Sequence, residues 1–481
     1  MTIANWNPAK ITLVVDLDDA LIRSDSLLET FWSACSARWY TPLVAASALM
    51  RGPLALKQRL AEMSNLDPAS LPYDEEVLGI IRRWREHGGR IALVTAAIQA
   101  TADQVAAHLG LFDEVHGSGN GVNLKGSDKD RFLRETFGAA GYTCIGDTTA
   151  GLSSWTATAQ AVSLDPGQAA ARARFDGAEQ PAVHRAAATA KTRDYLRALR
   201  PHQWLKNLLV FVPMLAAHQL TLPMMLQSLL AFVAFSLVAS STYVLNDLLD
   251  LAADRAHPRK RRRPFASGAV KISHGTWMVP VLGLLGGAVA LMSSPALFAL
   301  LLGYSVLTTL YSLWLKRMVV IDICLLAVLY TMRILAGSVA TGIPASVWLL
   351  AFSTFFFFSL ASIKRQAELV DGIASETVQA RGRGYRTDDL PIVSNMAVSS
   401  GLVSVLVLAL YANSEPVRLL YNTYEFLWGV CLVLLFWNSR IAILTHRGQM
   451  HDDPLVFAAY DRVSYGCAAV IAALALAGTW W

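Results

Sequence analysis

Apolar segments of about 20 residues recur from Trp204 to the end of the chain, separated by short polar segments. In a bilayer, a segment of this length is stable only as a helix, because lipid cannot hydrogen-bond an exposed backbone. Residues before Trp204 resemble an ordinary soluble domain, so the overall 54% of hydrophobic residues averages two unlike parts. The sequence therefore predicts a soluble head and an all-α polytopic membrane body of nine helices, near residues 204–221, 224–246, 274–293, 296–315, 319–338, 346–364, 393–412, 425–444 and 463–481.

The charges of the polar segments predict the orientation of the membrane body. Lys and Arg concentrate around residues 255–271, 316–317, 364–386 and 439–462, whereas the alternate loops carry almost none, with Arg418 as the exception. Because basic loops stay on the cytoplasmic side, we expect these loops and the head in the cytoplasm and the body in the inner membrane. The N terminus lacks a signal-peptide pattern, so we do not expect the head to be exported.

Composition argues against several kinds of site. The five cysteines are scattered without a CxxC pair, which argues against a disulfide framework and a thiolate zinc site. The net charge of +5 lies mainly in the predicted cytoplasmic loops, which favours anionic headgroups or phosphates as partners. No basic run is interleaved with aromatic residues, so we expect no nucleic acid partner.

In the head, β-branched apolar runs alternate with helix-like stretches. The runs at residues 11–15, 91–94, 142–145 and 161–164 predict a doubly wound parallel sheet, which is an α/β fold. In such sheets the site lies beyond the carboxyl ends of the strands. The polar residues that follow three of these runs are Asp16, Asp18, Thr95 and Asp147.

The segments VVDLDDALIRSD, VTAA, NLKGSDKDRF and CIGDTTAG resemble the haloacid dehalogenase (HAD) phosphatases. The resemblance implies a Rossmann-like domain over residues 1–165 with a helical cap at about 26–80, followed by a linker over 166–195. It implies Asp16 as nucleophile and Asp18 as general acid, with Thr95 and Lys129 neutralising the phosphoryl group. Lys125, in the same motif as Lys129, is a competing candidate. The implied Mg²⁺ ligands are Asp16, Asp18 and Asp147.

Two departures from the HAD pattern keep a second interpretation open. Asp19 and Ala20 stand where the family has Gly and Thr, and Gly151 stands where a further acid is expected. A carboxylate nucleophile attacks a phosphate only if cations offset the repulsion between the two anions. An active phosphatase and a non-catalytic docking or regulatory module are both compatible with this sequence.

The segment YVLNDLLDLAADRAHPRKRRR, residues 243–263, ends an apolar run with three spaced aspartates and a basic cluster. Asp247, Asp250 and Asp254 stand at i, i+3 and i+7, so on a continuing helix they share one face. With Asn246 they offer carboxylate and amide oxygens, which are ligands that Mg²⁺ accepts. Unpaired acids at a helix C-terminus oppose its dipole, so a merely solvated helix end is the weaker interpretation. We predict a metal site that binds a phosphorylated substrate at the membrane surface.

The runs LRPHQWLKN, NDLLDLAADRAHP, YSLWLKR with Asp322, and SLASIKRQAEL with ARGRGYRTDD resemble the UbiA superfamily of intramembrane prenyltransferases over residues 196–481. They look most like the branch that transfers 5-phosphoribose from phosphoribosyl diphosphate to a polyprenyl phosphate. Aromatic prenyltransferases of this superfamily usually carry a second acidic pair, DxxxD. Here Asp322 can be its first acid, but Leu326 stands four residues later, where the second acid is expected. This departure favours a phosphosugar donor over an allylic diphosphate.

Polar residues in or beside the predicted spans are candidate substrate ligands. A charge within a span, such as Arg333, is costly unless it faces a polar cavity or pairs with an acid. Basic residues that flank spans are also ordinary topology signals, and the acids around Asp453 fit a solvated loop equally well. The candidates are Arg200, Lys206, Asn246, Arg255, His257, Lys260, Arg263, Lys316, Asp322, Arg333, Lys364, Arg365 and Glu368.

These patterns lead to the hypothesis of a bifunctional, Mg²⁺-dependent membrane enzyme of cell wall biosynthesis. The membrane body would make polyprenyl-phosphoryl-5-phosphoribose, with Asp247, Asp250 and Asp254 as catalytic residues, and the head would remove the 5-phosphate. The alternative is a UbiA-type prenyltransferase that acts on an aromatic or other small acceptor and carries a non-catalytic head. The expected partners are polyprenyl phosphate, phosphoribosyl diphosphate and the lipid bilayer, and a homo-oligomer stays open.

Overall fold

The computed structural model describes residues 10–119, 121–138, 141–146, 161–163, 190–374, 383–450 and 453–480. Contacts divide the chain into two units. The first contains Met1–Ala198 and Val244–Met278, and the second contains Leu199–Tyr243 and Val279–Trp481. By its contacts, the segment with the three spaced aspartates thus belongs to the first unit.

A five-stranded parallel sheet forms the centre of the head, as predicted. Its strands are β1 Thr12–Val15, β2 Ile91–Ile98, β3 Glu114–Ser118, β4 Tyr142–Gly146 and β5 Ala161–Ser163. They lie in the order β3-β2-β1-β4-β5, and every pair is parallel. The sequence prediction missed β3, because its residues are mostly half-buried and do not form an apolar run.

Helices connect and cover these strands. They are α1 Ser26–Ala37, α2 Thr41–Leu49, α3 Pro53–Met63, α4 Glu75–Glu86, α5 Gln99–Leu109 and α6 Ser127–Phe137. Side chains of β1 alternate between two cores: Leu13 and Val15 pack with Trp84 of α4, and Val14 packs with Leu133 of α6. Both faces of the sheet are therefore buried, which is the usual state of a parallel sheet.

The helical insertion that follows β1 consists of α1, α2 and α3. Asp25 begins α1 by accepting a hydrogen bond from Leu28 N at 3.0 Å, and Asp74 begins α4 in the same way from Glu76 N at 3.0 Å. We predicted the insertion as residues 26–80, but α4 packs into the core beneath the sheet. The insertion therefore ends before Glu75, and its role as a cap stays a prediction.

The first predicted span, residues 204–221, is not a long α-helix. After α7 Thr192–Leu199, the chain forms a 3₁₀ helix at Pro201–Phe211 and then the short α8 Val212–Ala216. A Cβ placed on Gly337 would lie 1.9 Å from Val210 O, so the 3₁₀ segment packs directly on the backbone at Gly337. Hydropathy alone does not separate this arrangement from a membrane-spanning α-helix.

Eight helices in the described part of the chain are long and apolar enough to cross a membrane. They are α9 Leu222–Leu249, α11 Ile272–Ser293, α12 Pro295–Leu313, α13 Ile321–Thr341, α14 Val347–Ala374, α15 Leu390–Ala412, α17 Phe426–His446 and α19 Arg462–Trp480. The connecting helices are α10 Leu251–Ala256, α16 Glu415–Leu420 and α18 Pro454–Ala458. The count is one lower than the nine we predicted, and the 3₁₀ segment accounts for the difference.

Candidate functional site

A polar cavity of about 250 Å³ lies in the head at the carboxyl end of β1. Asp16 follows β1 directly, and its Oδ2 lies 2.6 Å from Lys129 Nζ at the start of α6. Lys125 lines the same cavity. The sequence left these two lysines as alternatives, and the structure places Lys129 against the predicted nucleophile.

Thr95 lies beneath the wall of this cavity. We predicted that it follows a strand ending at Val94, but β2 continues to Ile98. Thr95 is fully buried within the strand, and its Oγ1 accepts a hydrogen bond from Ala97 N at 3.0 Å. The cavity wall at this strand is formed by Ala96, Ala97 and Ile98. Thr95 is not among the residues that line the cavity, and its role at the phosphoryl group stays a prediction.

Asp18 is the general acid implied by the HAD resemblance. Burial, together with the nearby carboxylates of Asp25 and Asp16, raises its pKa to about 7, although the hydrogen bonds from Ser26 lower it. Ser26 N donates to Asp18 Oδ1 at 2.7 Å. A carboxyl group with this pKa holds a proton near neutral pH and can give it to a leaving group.

Lys57 of the helical insertion is a cavity residue that the sequence did not reveal. Its Nζ donates to Ala96 O at 2.6 Å and to Asn123 Oδ1 at 2.8 Å. Burial lowers the pKa of Lys57, although the charge of Asp18 opposes this effect. The predicted metal ligand Asp147 lies outside the described residues.

The three spaced aspartates do not lie on one uninterrupted helix. Helix α9 ends at Leu249 and α10 begins at Leu251, with Asp250 at the joint. Hydrogen bonds from Asp250 N to Asn246 O at 2.9 Å and from Asp254 N to Asp250 O at 2.8 Å continue the helical pattern through the joint. The predicted common face is therefore kept approximately.

Arg263 joins two of these aspartates. Its Nη1 lies 3.0 Å from Asp247 Oδ1 and 2.6 Å from Asp254 Oδ2. Both aspartates are only 2% exposed. Burial raises the pKa of Asp254, and Arg263 counteracts this shift. Arg263 thus supplies positive charge between two buried carboxylates, close to the role we predicted for a metal ion.

Among the described residues, no three His, Cys, Asp or Glu side chains form a metal-binding group. Asp247 and Asp254 are thus connected through Arg263 rather than gathered with Asp250 into one cluster. Their chemistry nonetheless suits Mg²⁺, which takes carboxylate and amide oxygens. In addition, the buried Asn246 Oδ1 has no hydrogen-bond partner in the described part of the chain. A bound cation would satisfy this oxygen.

The basic residues after the aspartates divide into separate roles. Arg255, predicted to bind substrate, is instead engaged by Glu29 of α1, with its Nη2 2.7 Å from Glu29 Oε1. His257 Nδ1 accepts hydrogen bonds from Arg259 N at 3.2 Å and Lys260 N at 3.4 Å, which shape the turn after α10. Lys260 is itself exposed.

A buried carboxylate in the second unit binds two predicted phosphate ligands. Asp453, which begins α18, lies 2.6 Å from Lys206 Nζ and 3.4 Å from Lys364 Nζ. Tyr330 Oη donates to Asp453 Oδ2 at 2.9 Å. Burial opposes ionisation of Asp453, but the two lysines hold its pKa below its usual range. The acids around Asp453 had fitted a solvated loop, so this group was missed.

Arg333 of α13 is buried among polar groups, as its position within a predicted span required. Its Nε donates to Asn207 Oδ1 at 3.0 Å, and its Nη2 donates to Tyr304 Oη at 3.2 Å. Its guanidinium also lies 5.0 Å from the ring centre of Phe235. Arg200 lies 5.6 Å from the ring centre of Tyr243.

Arg365 contacts both Asp322 and Glu368, and all three were predicted to bind substrate. The fully buried Asp322 Oδ2 lies 2.8 Å from Arg365 Nη2, and Arg365 also contacts Glu368. Arg383, which was not among our candidates, approaches Asp322 at 3.7 Å. Tyr385 Oη donates to Asp322 Oδ1 at 2.7 Å. The last candidate, Lys316, lies in the 3₁₀ turn Leu315–Arg317.

Comparison with known protein families finds two matches. Residues 207–460 match the UbiA prenyltransferase family, and residues 13–150 match the haloacid dehalogenase-like hydrolases. The first match covers more than half of the chain.

Three relatives are similar to long parts of the chain. The uncharacterized protein y4nM of Sinorhizobium fredii is 36% identical over 96% of this chain and 90% of its own length. Nodulation protein NoeC of Azorhizobium caulinodans is 41% identical over 57% of this chain and 89% of its own length. The decaprenyl-phosphate phosphoribosyltransferase of Mycolicibacterium smegmatis is 39% identical over 56% of this chain and 86% of its own length.

Proposed function

Since the chain belongs to the UbiA prenyltransferase family and carries an N-terminal HAD-like domain, we propose that it makes polyprenyl-phosphoryl-ribose in two steps. The membrane region transfers 5-phosphoribose from phosphoribosyl diphosphate to a polyprenyl phosphate. The head then removes the 5-phosphate. The likeness to a decaprenyl-phosphate phosphoribosyltransferase supports the first step, and both steps take place on the cytoplasmic side of the inner membrane.

The choice of a phosphosugar donor rests on the ion pair between Asp322 and Arg365. In aromatic prenyltransferases of this superfamily, the second acidic pair serves an allylic diphosphate. Here Asp322 is fully buried, Arg365 neutralises it at 2.8 Å and Arg383 approaches it at 3.7 Å. Both partners of this ion pair are fully buried, whereas Arg263, which pairs with Asp247 and Asp254, has a side chain that is 28% exposed and can give way to a metal ion. In this proposal, Arg365 and Arg383 occupy the surroundings of Asp322, where the aromatic enzymes would have a second acidic pair.

The transfer step needs positive charge for two phosphate groups. The phosphate oxygen of the lipid attacks the anomeric carbon of the ribose, and the bond from that carbon to the diphosphate breaks. Lys206 and Lys364, now held by Asp453, can bind a phosphate through charge-assisted hydrogen bonds. Mg²⁺, when bound by Asn246, Asp247, Asp250 and Asp254, supplies charge to the departing diphosphate.

The arrangement of the head supports a phosphatase step. The Asp16 carboxylate attacks the phosphorus of the 5-phosphate, and the bond from phosphorus to the ribose oxygen breaks. Asp18, protonated near neutral pH, gives its proton to that oxygen. Lys129, at 2.6 Å from Asp16, neutralises the charge of the transferred group. Water then releases inorganic phosphate from Asp16.

A transfer assay with the purified full chain tests this function. Protein in detergent is incubated with Mg²⁺, polyprenyl phosphate and phosphoribosyl diphosphate labelled in the ribose. We expect a labelled lipid from the wild type and none from Asp247→Asn. Asp16→Asn should transfer normally but release no inorganic phosphate, whereas Asp103→Asn, which changes an exposed acid of α5, should behave like the wild type. Turnover of an allylic diphosphate without labelled lipid would refute the proposal.

A further inference from the structure

Arg255 connects three parts of the first unit. Its guanidinium group donates two hydrogen bonds to the Glu29 carboxylate of α1, from Nη2 at 2.7 Å and from Nη1 at 3.0 Å. Nη1 also donates to Ser70 O at 3.3 Å, and Nε donates to Ala266 O at 3.2 Å. The Arg255 and Glu29 side chains are only 9% and 3% exposed. One side chain thus ties α10 to the helical insertion of the head and to the loop after α10.

Other contacts extend the same connection. Lys271 Nζ lies 3.0 Å from Asp19 Oδ1, and Trp32 Nε1 donates to Thr276 Oγ1 at 3.0 Å. A Cβ added to Gly268 would lie 3.2 Å from Arg23 Cβ, which shows how closely the two backbones approach. The contacts therefore extend from α10 to the start of α11.

Asp19 lies in the loop after β1 that also carries Asp16 and Asp18, and its contact with Lys271 brings this loop into the same set of contacts. Asp19 stands where HAD phosphatases have glycine, and its φ of 53° explains that preference. Aspartate tolerates this conformation better than most residues. Its carboxylate is paired with Lys271, so the departure from the family pattern gives the head a contact with the segment that follows the aspartates.

Arg255 directly follows Asp254, which is part of the aspartate group. Arg255 also fixes the loop at Ala266, and the same loop carries Arg263, the residue that bridges Asp247 and Asp254. A buried, bidentate pair holds one geometry much more strictly than a single hydrogen bond. Shifts of α1 would therefore be transmitted to both the carboxylates and their arginine.

We propose that the HAD-like head is a positioning domain for the aspartate segment, with Glu29 acting through Arg255. This role is separate from phosphate hydrolysis, and it rests on the proposed function in assigning Mg²⁺ to Asp247, Asp250 and Asp254. Glu29 and Arg255 touch neither the reacting atoms nor the metal. They fix the backbone that carries the aspartates and Arg263, as an outer partner fixes the position of a metal ligand.

The test is Glu29→Gln in the full chain, with Mn²⁺ as the probe of the aspartate segment. Free Mn²⁺ is measured by electron paramagnetic resonance in an Asp16→Asn background, which reduces the contribution of the head. We expect about tenfold weaker binding, as for the loss of other outer partners of metal ligands. Transfer should need a correspondingly higher Mg²⁺ concentration while kcat at saturating Mg²⁺ changes little. Glu62→Gln, an exposed acid of the same insertion, should bind Mn²⁺ like the parent.

A double variant shows whether Glu29 acts through Arg255. If it does, Glu29→Gln with Arg255→Gln weakens Mn²⁺ binding no more than the stronger single variant, whereas independent roles would multiply the two effects. To show that the head remains folded, the same substitutions are also made in the protein that keeps Asp16, and hydrolysis of p-nitrophenyl phosphate is measured. If Glu29→Gln does not fold, Lys271→Gln, which breaks a more exposed contact, takes its place and should also weaken Mn²⁺ binding.

The outcomes separate this inference from the proposed function. If Asp247→Asn loses Mn²⁺ but Glu29→Gln and Lys271→Gln bind it like the parent, the positioning role is wrong and the metal assignment stands. If Asp247→Asn itself binds Mn²⁺ normally, the metal assignment is wrong, and the positioning role fails with it. If Mn²⁺ binding follows the prediction but no lipid is labelled in the transfer assay, positioning stands and the choice of substrates fails.

Discussion

Replacement of Asp453 by Asn should destabilise the second unit and expose the phosphate-binding character of its two lysines. Asp453 is a buried carboxylate, and Lys206 and Lys364 lie 2.6 and 3.4 Å from it. The side chain of Lys206 is only 9% exposed, so solvent cannot replace the lost counter-charge at low cost. Asn keeps the size of the side chain but removes its charge and replaces one acceptor oxygen by an NH₂ donor.

The magnitude follows from these distances. At 2.6 Å, two unit charges attract by about 6 kcal/mol in an effective dielectric of about 20. Part of this attraction offsets the desolvation of the two groups, and removal of one partner of a buried pair costs about 3–5 kcal/mol. We expect a loss of stability of this size. Asp461→Asn breaks a more exposed pair with Arg440 and should cost about 1 kcal/mol or less.

The assay is thermal unfolding of the full chain in detergent, with and without inorganic phosphate. Phosphate can take the place of the lost carboxylate, and at ten times its Kd it would restore about 1.4 kcal/mol. Asp453→Asn should therefore unfold at a lower temperature and be stabilised by phosphate more than the wild type. An unchanged unfolding temperature with equal phosphate responses would refute the reasoning.

Three further predictions address the packing and the head. Gly337→Ala should cost about 3 kcal/mol, because its Cβ would meet Val210 O, whereas Gly303→Ala, with open space around it, should change stability by less than about 1 kcal/mol in thermal unfolding. The rate of phosphate release should fall as pH rises through about 7, because Asp18 then loses the proton that it donates. A rate that rises over this range would contradict the role of Asp18 as general acid. Lys129→Met should lower this rate by about 10²–10³, and Lys125→Met by much less.

The main features of the fold could be predicted from local patterns. The strand that leads into Asp16 and the apolar helices from Leu222 onward are continuous in sequence, and the structure contains them. The 3₁₀ segment could not be predicted, because its hydropathy is that of a span and its geometry follows from packing of Val210 against Gly337. The end of β2 was predicted four residues too early, because a β-strand does not end where its most apolar residues end.

The sites were harder to predict, because they depend on pairs that are distant in sequence. Arg255 and Glu29 are 226 residues apart, and Lys206 and Asp453 are 247 apart. Taken alone, Arg255 looks like a substrate ligand and Asp453 like a solvated acid. Only the fold shows that each is a buried partner of another charge. Residue type and spacing predict which groups suit phosphate chemistry, but not which of them are already paired.

The mass of the lipid product is the most direct test of the proposed two-step function. The purified chain is given Mg²⁺, polyprenyl phosphate and phosphoribosyl diphosphate, and the lipids are analysed by mass spectrometry. The wild type should yield polyprenyl-phosphoryl-ribose, and Asp16→Asn should accumulate the product that is heavier by one phosphoryl group. If both proteins yield the same phosphorylated lipid, the head is not the phosphatase. If neither yields a ribose-bearing lipid, the proposed transfer is wrong.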